Sequence, residues 1–345
     1  MNSSFKPSDV KAYLDRFIVG QEEAKKAVSN VLYNSQLRLR AKEHFGYHQL
    51  DKLVILLAGE TGTGKTYMIT KAAEFNNSVV KIVDSTSLMK TGYSGEGSLN
   101  ASTVAKEYIT ACYDKAKEKY EETSDLFQEL VDFYINTGFV VFDEFDKISD
   151  MGNGSDAFGY AIQDNLLKFI EGGLKVTVHD KKYDTLEIPC VLLGAFSALY
   201  DKKKEVKTTI GFSKSEEKEV VAKLTKTELG EAGFKKELLA RIGTLVELNP
   251  LTDTEFRDIL LNVQQCAFNQ YRSMFNLHGV NVTLSEKTIE SAIKSSRDEK
   301  IGARGLKGFF ISRMSDIIYD LPDIEDADVE IDIEDDKLKL VRKIL

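Results

Sequence analysis

Short apolar runs and longer amphipathic stretches alternate along most of the chain. Leu53–Leu57, Val79–Val83, Phe139–Phe142 and the segment from Pro189 to Phe196 each read as one buried strand. Helical spacing separates them. Ser8 starts a first helix with Val10, Tyr13, Leu14 and Phe17 on one face, and a second runs from Glu22 to Lys42 with Ala24, Val28, Val31 and Leu32 inward. Ser102–Tyr120 and Ser124–Asn136 read as two more, and Asp164–Glu171 as a helix end closed by Gly172-Gly173. Lys175–Val178 and Tyr183–Glu187 form a hairpin across His179-Asp180-Lys181-Lys182, and Phe234–Arg241 is a helix feeding a strand at Thr244–Leu248. Such alternation implies a mostly parallel α/β sheet.

Past Asn249-Pro250-Leu251-Thr252, the candidate hinge, the pattern turns helical: Asp253–Phe275, Glu286–Ser296 and Arg304–Tyr319. Val329, Ile331 and Ile333 then alternate with acidic residues, and Leu338 and Leu340 with lysines. That reads as a terminal hairpin with Lys opposite Glu, and less readily as an acidic partner site. The expected organisation is a large α/β domain over 1–250 and a smaller, mainly helical domain over 251–345.

The chemistry centres on Gly59-Glu60-Thr61-Gly62-Thr63-Gly64-Lys65-Thr66, which follows the first strand and precedes a helix opening at Tyr67. Strand, glycine turn and helix are the context of a phosphate-binding loop. The glycines let successive N–H groups point inward at phosphate oxygens, and the helix N-terminus adds a positive dipole. Lys65 would reach the β and γ phosphates, and the Thr66 hydroxyl would ligate Mg²⁺. A chance glycine turn would not bring the Lys-Thr pair and both flanks with it.

Phe139-Val140-Val141-Phe142 ends in Asp143-Glu144. The C-terminal edge of a parallel strand is where such sheets bind ligands. Downstream of a phosphate loop, Asp143 would hold Mg²⁺ through water and Glu144 would orient the attacking water, which favours hydrolysis over transfer to a small acceptor. Two loops remain open. Gly92-Tyr93-Ser94-Gly95 is a glycine-rich turn carrying an aromatic, and Ile210-Gly211-Phe212 is an apolar triplet in a polar stretch. The triplet either folds back on the body, which spacing favours, or docks elsewhere. Ile18-Val19-Gly20 is either a turn between helices or an apolar patch for an adenine ring.

Composition narrows the class. The 345 residues are 42% hydrophobic and 29% charged, which is soluble and globular. A net charge of -9 argues against a generic nucleic-acid partner. Cys112, Cys190 and Cys266 are scattered, fitting neither zinc nor a disulfide framework, so a reducing cytoplasm is expected. No stretch reads as a signal peptide or membrane span.

With these residues in view, the chain resembles the ClpX group of AAA+ unfoldases, and more distantly HslU, over nearly its whole length. The likeness rests on Phe17-Ile18-Val19-Gly20-Gln21-Glu22, the phosphate loop, Asp143-Glu144-Phe145-Asp146-Lys147-Ile148, Leu166–Gly172, Gly194-Ala195-Phe196, Gly302-Ala303-Arg304-Gly305-Leu306 and Tyr319-Asp320-Leu321-Pro322. The resemblance implies a P-loop NTPase (AAA+) fold and a homohexameric ring that hydrolyses ATP with Mg²⁺ to unfold protein substrates, feeding a ClpP-type peptidase. The alternative is a protease-independent remodeller.

The resemblance also implies roles. Ile18 and Val19 would face the adenine, and Gly59, Glu60, Thr61, Gly62, Thr63, Gly64, Lys65, Thr66 and Tyr67 the phosphates. Arg304 would contact the nucleotide of its own subunit. Lys65, Asp143, Glu144 and Arg241 would be catalytic, with Arg241 reaching a neighbouring subunit's γ-phosphate; by its spacing alone Arg241 is an ordinary surface arginine. Gly92, Tyr93, Ser94 and Gly95 would form the pore loop, and Ile210, Gly211 and Phe212 the peptidase-docking loop.

The departures are as specific. The family's cysteine-rich zinc domain is missing from this sequence, so adaptor binding through it is not expected. Glu60 replaces a usual proline and must point away from phosphates, and Ser94 replaces a valine. No Arg-Lys-His triplet lies between Leu174 and Tyr183. The Ser102–Asn136 stretch is longer than the group's. Together these imply a divergent member with its own substrates.

Overall fold

A computed structural model describes residues 5–46, 50–88, 100–149, 156–210, 223–324 and 328–342. Gly92, Tyr93, Ser94 and Gly95, expected as a pore loop, and Gly211 and Phe212, expected in a docking loop, lie outside the described residues. The chain groups into two compact units: Met1–Leu14, Glu22–Gly59 and Lys65–Leu248 in the first, and Asp15–Gln21, Glu60–Gly64 and Asn249–Leu345 in the second.

The strands are β1 (Ile55–Ala58), β2 (Val80–Asp84), β3 (Phe139–Asp143), β4 (Lys175–Val178), β5 (Lys181–Asp184), β6 (Cys190–Gly194), β7 (Thr244–Glu247), β8 (Asn281–Leu284), β9 (Asp328–Glu334) and β10 (Lys337–Arg342). The first unit is built on a five-stranded sheet in the order β2-β3-β6-β1-β7. Every pairing in it is parallel, with Leu56 beside Leu192 and Val141 beside Val191. Alternate residues Leu56, Val140, Phe142 and Leu192 share one core with helices Ala101–Lys117, Asp125–Thr137 and Asp156–Glu171. The intervening Ile55, Leu57, Val141, Val191 and Leu193 are also fully buried. Period-two side chains point them to the opposite face, where helices Glu22–Phe45 and Lys65–Phe75 contact β1, β2, β3 and β7. A parallel sheet covered on both faces explains why its strands read as continuous apolar runs.

At the end of the sheet where the strands begin, two cations donate to main-chain carbonyls, although Arg38 Nη2 is buried without a hydrogen-bond partner among the described residues. Lys52 Nζ donates to the Phe169 and Thr185 carbonyls at 3.3 and 3.0 Å, and Arg38 Nη1 to Leu186 at 2.8 Å. Burial pushes the Lys52 amine below its usual value.

In the second unit, β8 lies parallel to β9, and β9 antiparallel to β10. Phe256, Leu260, Phe268, Phe275, Phe310 and Ile331 fill its core. The terminal hairpin forms as expected, with Lys337 opposite Glu334, while Lys339 lies opposite Asp332.

Several elements differ from the pattern-based reading. The expected helix Asp253–Phe275 is two, Asp253–Leu261 and Asn269–Leu277, because Gln265 turns left-handed at φ +62° while Phe256, Leu260, Phe268 and Phe275 keep a helical phase on either side. Arg304–Tyr319 likewise divides into Ala303–Arg313 and Ser315–Asp320. His179 and Asp180 alone turn the β4–β5 hairpin, both at positive φ as a two-residue I′ turn requires, so Lys181 and Lys182 belong to β5, and residues 185–187 form a 3₁₀ turn. Ser197–Ile210 is helical although densely charged, and Ile210 is its last residue.

Candidate functional site

In the first unit, the strand ends of the parallel sheet converge on Gly59, Lys65, Asp143 and Glu144. Gly59 leaves β1 at φ +154°, and its N–H donates to the Gly194 carbonyl at the end of β6, 3.2 Å away. A Cβ at Gly59 would come within 3.0 Å of the Leu248 carbonyl, so glycine is required there. Lys65 opens the helix Lys65–Phe75, and its Nζ turns back to the Gly59 carbonyl at 2.5 Å. Thr66 Oγ1 donates to Asp143 Oδ2 at 3.1 Å, which brings the two expected metal ligands onto one edge.

Asp143 is fixed from three sides. The Glu144 N–H donates to its Oδ1 at 2.9 Å, Thr66 to its Oδ2, and Ser85 Oγ to its backbone carbonyl at 2.6 Å. Glu144 has φ +54° and ψ 33°, left-handed for a non-glycine residue, and its side chain is exposed. Such a conformation costs of order 1–3 kcal/mol and persists where surrounding structure imposes it. Here Phe145 stacks on Phe234 at 4.8 Å, and Asp146 accepts from the Ala195 N–H at 3.1 Å, pinning the turn behind Glu144. Burial pushes the Cys112 and Cys190 thiols up, which disfavours the thiolate form.

The middle of the phosphate loop, Glu60–Gly64, groups with the second unit. Thr63 donates to the Glu60 carbonyl through both N–H and hydroxyl, at 3.4 and 2.8 Å, and Gly62 and Gly64 take φ of +80° and +98°. The Gly62 carbonyl accepts from the Ala303 N–H at 3.1 Å, and a Cβ on Gly62 would lie 2.0 Å from the Ile301 carbonyl. Arg304, the second residue of Ala303–Arg313, is exposed. Glu60, Thr61 and Tyr67 are exposed and Thr63 is buried. Ile18 is buried and Val19 half-buried.

Other residues around these groups make contacts that the pattern does not show. Gln21, buried and at φ +54°, uses its side-chain amide twice on Asn249: Nε2 donates to the carbonyl at 2.8 Å and Oε1 accepts from the N–H at 2.9 Å. Arg241 ends the helix Lys236–Arg241 and ion-pairs with Glu171. Among the described residues no group of His, Cys, Asp and Glu has the make-up of a metal cage. Mg²⁺ bound with a nucleotide needs none, because phosphates and water supply most of its ligands. Nor, among those residues, is any helix long and apolar enough to cross a membrane.

The geometry agrees with the known proteins this chain is similar to. The AAA domain family (Cdc48 subfamily) matches residues 50–245, which run from just before β1 to β7. The ATP-dependent Clp protease ATP-binding subunit ClpX of Bacteroides thetaiotaomicron is 27% identical over 97% of this chain and 82% of its own length. ClpX of Bacteroides fragilis is 27% identical over 95% of this chain and 80% of its own. ClpX 2 of Wolinella succinogenes is 28% identical over 93% and 79%. A phosphate loop and an Asp-Glu strand end on one sheet edge, inside that match, mean that the chain belongs to the AAA domain family and is a ClpX-like ATPase.

Proposed function

We propose that this ATPase forms a homohexameric ring in the cytoplasm that unfolds protein substrates and threads them toward a ClpP-type peptidase. The observation that carries the reading is similarity to ClpX subunits along nearly the whole chain, both units included. ATP would be held by Gly59–Thr66, with Ile18 and Val19 toward the adenine and Arg304 toward the phosphates. The Lys65 ammonium, now on the Gly59 carbonyl, would exchange that partner for phosphate oxygens. Mg²⁺ fits the paired Thr66 and Asp143 oxygens and would supply charge neutralisation at the β and γ phosphates. Glu144, projecting to solvent beside Asp143, would orient water for in-line attack. Arg241 from an adjoining subunit would stabilise charge on the γ-phosphoryl group.

The Tyr93 loop would grip the polypeptide, and Ile210-Gly211-Phe212 would seat in apolar clefts on the peptidase, one per subunit, so that weak contacts sum. Two substitutions separate these roles. Tyr93→Ala is expected to keep ATP turnover within about twofold while ending ATP-dependent delivery of casein to ClpP, read as peptide release. Phe212→Ala should keep both ATPase and ring mass but lose co-migration with the ClpP ring. A Tyr93→Ala protein that still delivers casein at the parent rate would refute the threading step. Undiminished ClpP co-migration of Phe212→Ala would remove Phe212 from the docking contact, and a parent ring that does not co-migrate with ClpP in ATP would leave a remodeller that works without a peptidase.

A further inference from the structure

The helix that carries Arg241 is tied at both ends to the helix Asp156–Glu171. At its start, the Lys235 N–H donates to Gln163 Oε1 at 2.8 Å, Gln163 Nε2 returns a bond to the Gly233 carbonyl at 3.1 Å, and Lys235 Nζ pairs with Asp164 at 2.5 Å. At its end, Arg241 Nε and Nη2 both meet Glu171 Oε1, at 2.9 and 2.8 Å. Residues 163 and 171 are about two helical turns apart, so both ties fall along one side of the longer helix. Between them Leu238 and Leu239 are buried.

Glu171 is itself held in place. It is the last residue of its helix, and Gly172 and Gly173 stop the helix there with φ of +80° and +79°. A Cβ on Gly172 would lie 2.6 Å from Leu186 Cβ, and the Gly173 N–H donates to Asp184 Oδ1 at 2.7 Å. The carboxylate therefore leaves the helix from a backbone anchored to the start of the next turn.

We propose that Glu171 is a positioning residue for Arg241, holding the guanidinium by its Nε–Nη2 edge so that the Nη1 end stays directed outward for a phosphate. The inference rests on the reading of Arg241 as the residue that acts on a neighbouring subunit's nucleotide. A guanidinium has five N–H donors in a rigid fork, and gripping one edge fixes the plane of the other. A flexible arginine at 56% exposure would otherwise have to be ordered at every catalytic cycle. The contact is a surface ion pair, so the fold tolerates its loss while the aim of the fork does not.

The test is a double-mutant cycle on assembled rings, reading kcat, KM and thermal midpoint for ATP hydrolysis. Glu171→Ala is expected to lower kcat roughly five- to tenfold, with KM and the thermal midpoint almost unmoved. Glu171→Gln, which keeps an oxygen acceptor, should recover part of that loss. In an Arg241→Ala background, Glu171→Ala should have no further effect, since there is nothing left to position. The proposal is overturned if Glu171→Ala leaves kcat unchanged, or lowers it by the same factor with and without Arg241. If Arg241→Ala alone leaves kcat unchanged, the reading of Arg241 itself is wrong, and Glu171 has no role to play through it.

Discussion

Glu144→Gln is expected to stop ATP turnover and spare ATP binding. General-base groups contribute about 10²–10⁴ in rate, and that is the expected loss in kcat. Binding should persist because the substitution removes no phosphate ligand. Lys65 and Thr66 lie on a different element, and the Asp143 carboxylate is held by Thr66 and by the Glu144 main-chain N–H, which glutamine retains. The turn is imposed by Phe145 on Phe234 and by Asp146 on Ala195, so the left-handed geometry at 144 does not depend on the side-chain charge. A steady-state ATPase assay paired with binding of a fluorescent ATP analogue checks both halves. Turnover within a few-fold of the parent in a folded ring would remove Glu144 from the chemistry.

Arg241→Ala should cost still more, about 10³–10⁵ by the general contribution of arginine fingers, with each subunit keeping its own nucleotide affinity. What separates a residue acting in trans from an ordinary local one is complementation. Arg241→Ala subunits retain Glu144, and Glu144→Gln subunits retain Arg241. Each variant alone is inactive, yet in an equimolar random ring about one site in four would join an intact glutamate to a neighbour's intact arginine. Mixed rings should therefore regain up to about a quarter of the parent rate. If mixtures stay as inactive as the separate variants while mass measurement shows mixed rings, Arg241 acts within its own subunit or not at all.

Much of the first unit could be read from the chain because its strands are buried on both faces. Ile55–Ala58 and Phe139–Asp143 are short apolar runs with a glycine turn or a carboxylate pair at the end, so pattern and chemistry mark the same place. The break at residues 262–268 was hidden because it contains neither glycine nor proline. The helix Lys226–Glu231 was missed despite a local sign, the Thr225/Glu228 capping box, since six residues carry too little periodicity to register. β8 is hard to read because it is four residues long with only Val282 and Leu284 buried, too short an alternation to register. The ligand-facing residues of the site were legible as a motif. Their supports were not: Gln21 on Asn249, Ser85 on Asp143 and Glu171 on Arg241 join residues whose separation in sequence carries no pattern.

The bond from Ala303 to the Gly62 carbonyl joins peptide groups, and the glycines at 62 and 302 stand so close that neither can accept a methyl. A linkage made of amides is blind to which side chains surround it. Surface side chains can therefore change without altering the bond that joins the Gly62 peptide to the start of the helix Ala303–Arg313. Divergence to about a quarter identity is then compatible with an unaltered backbone at this join.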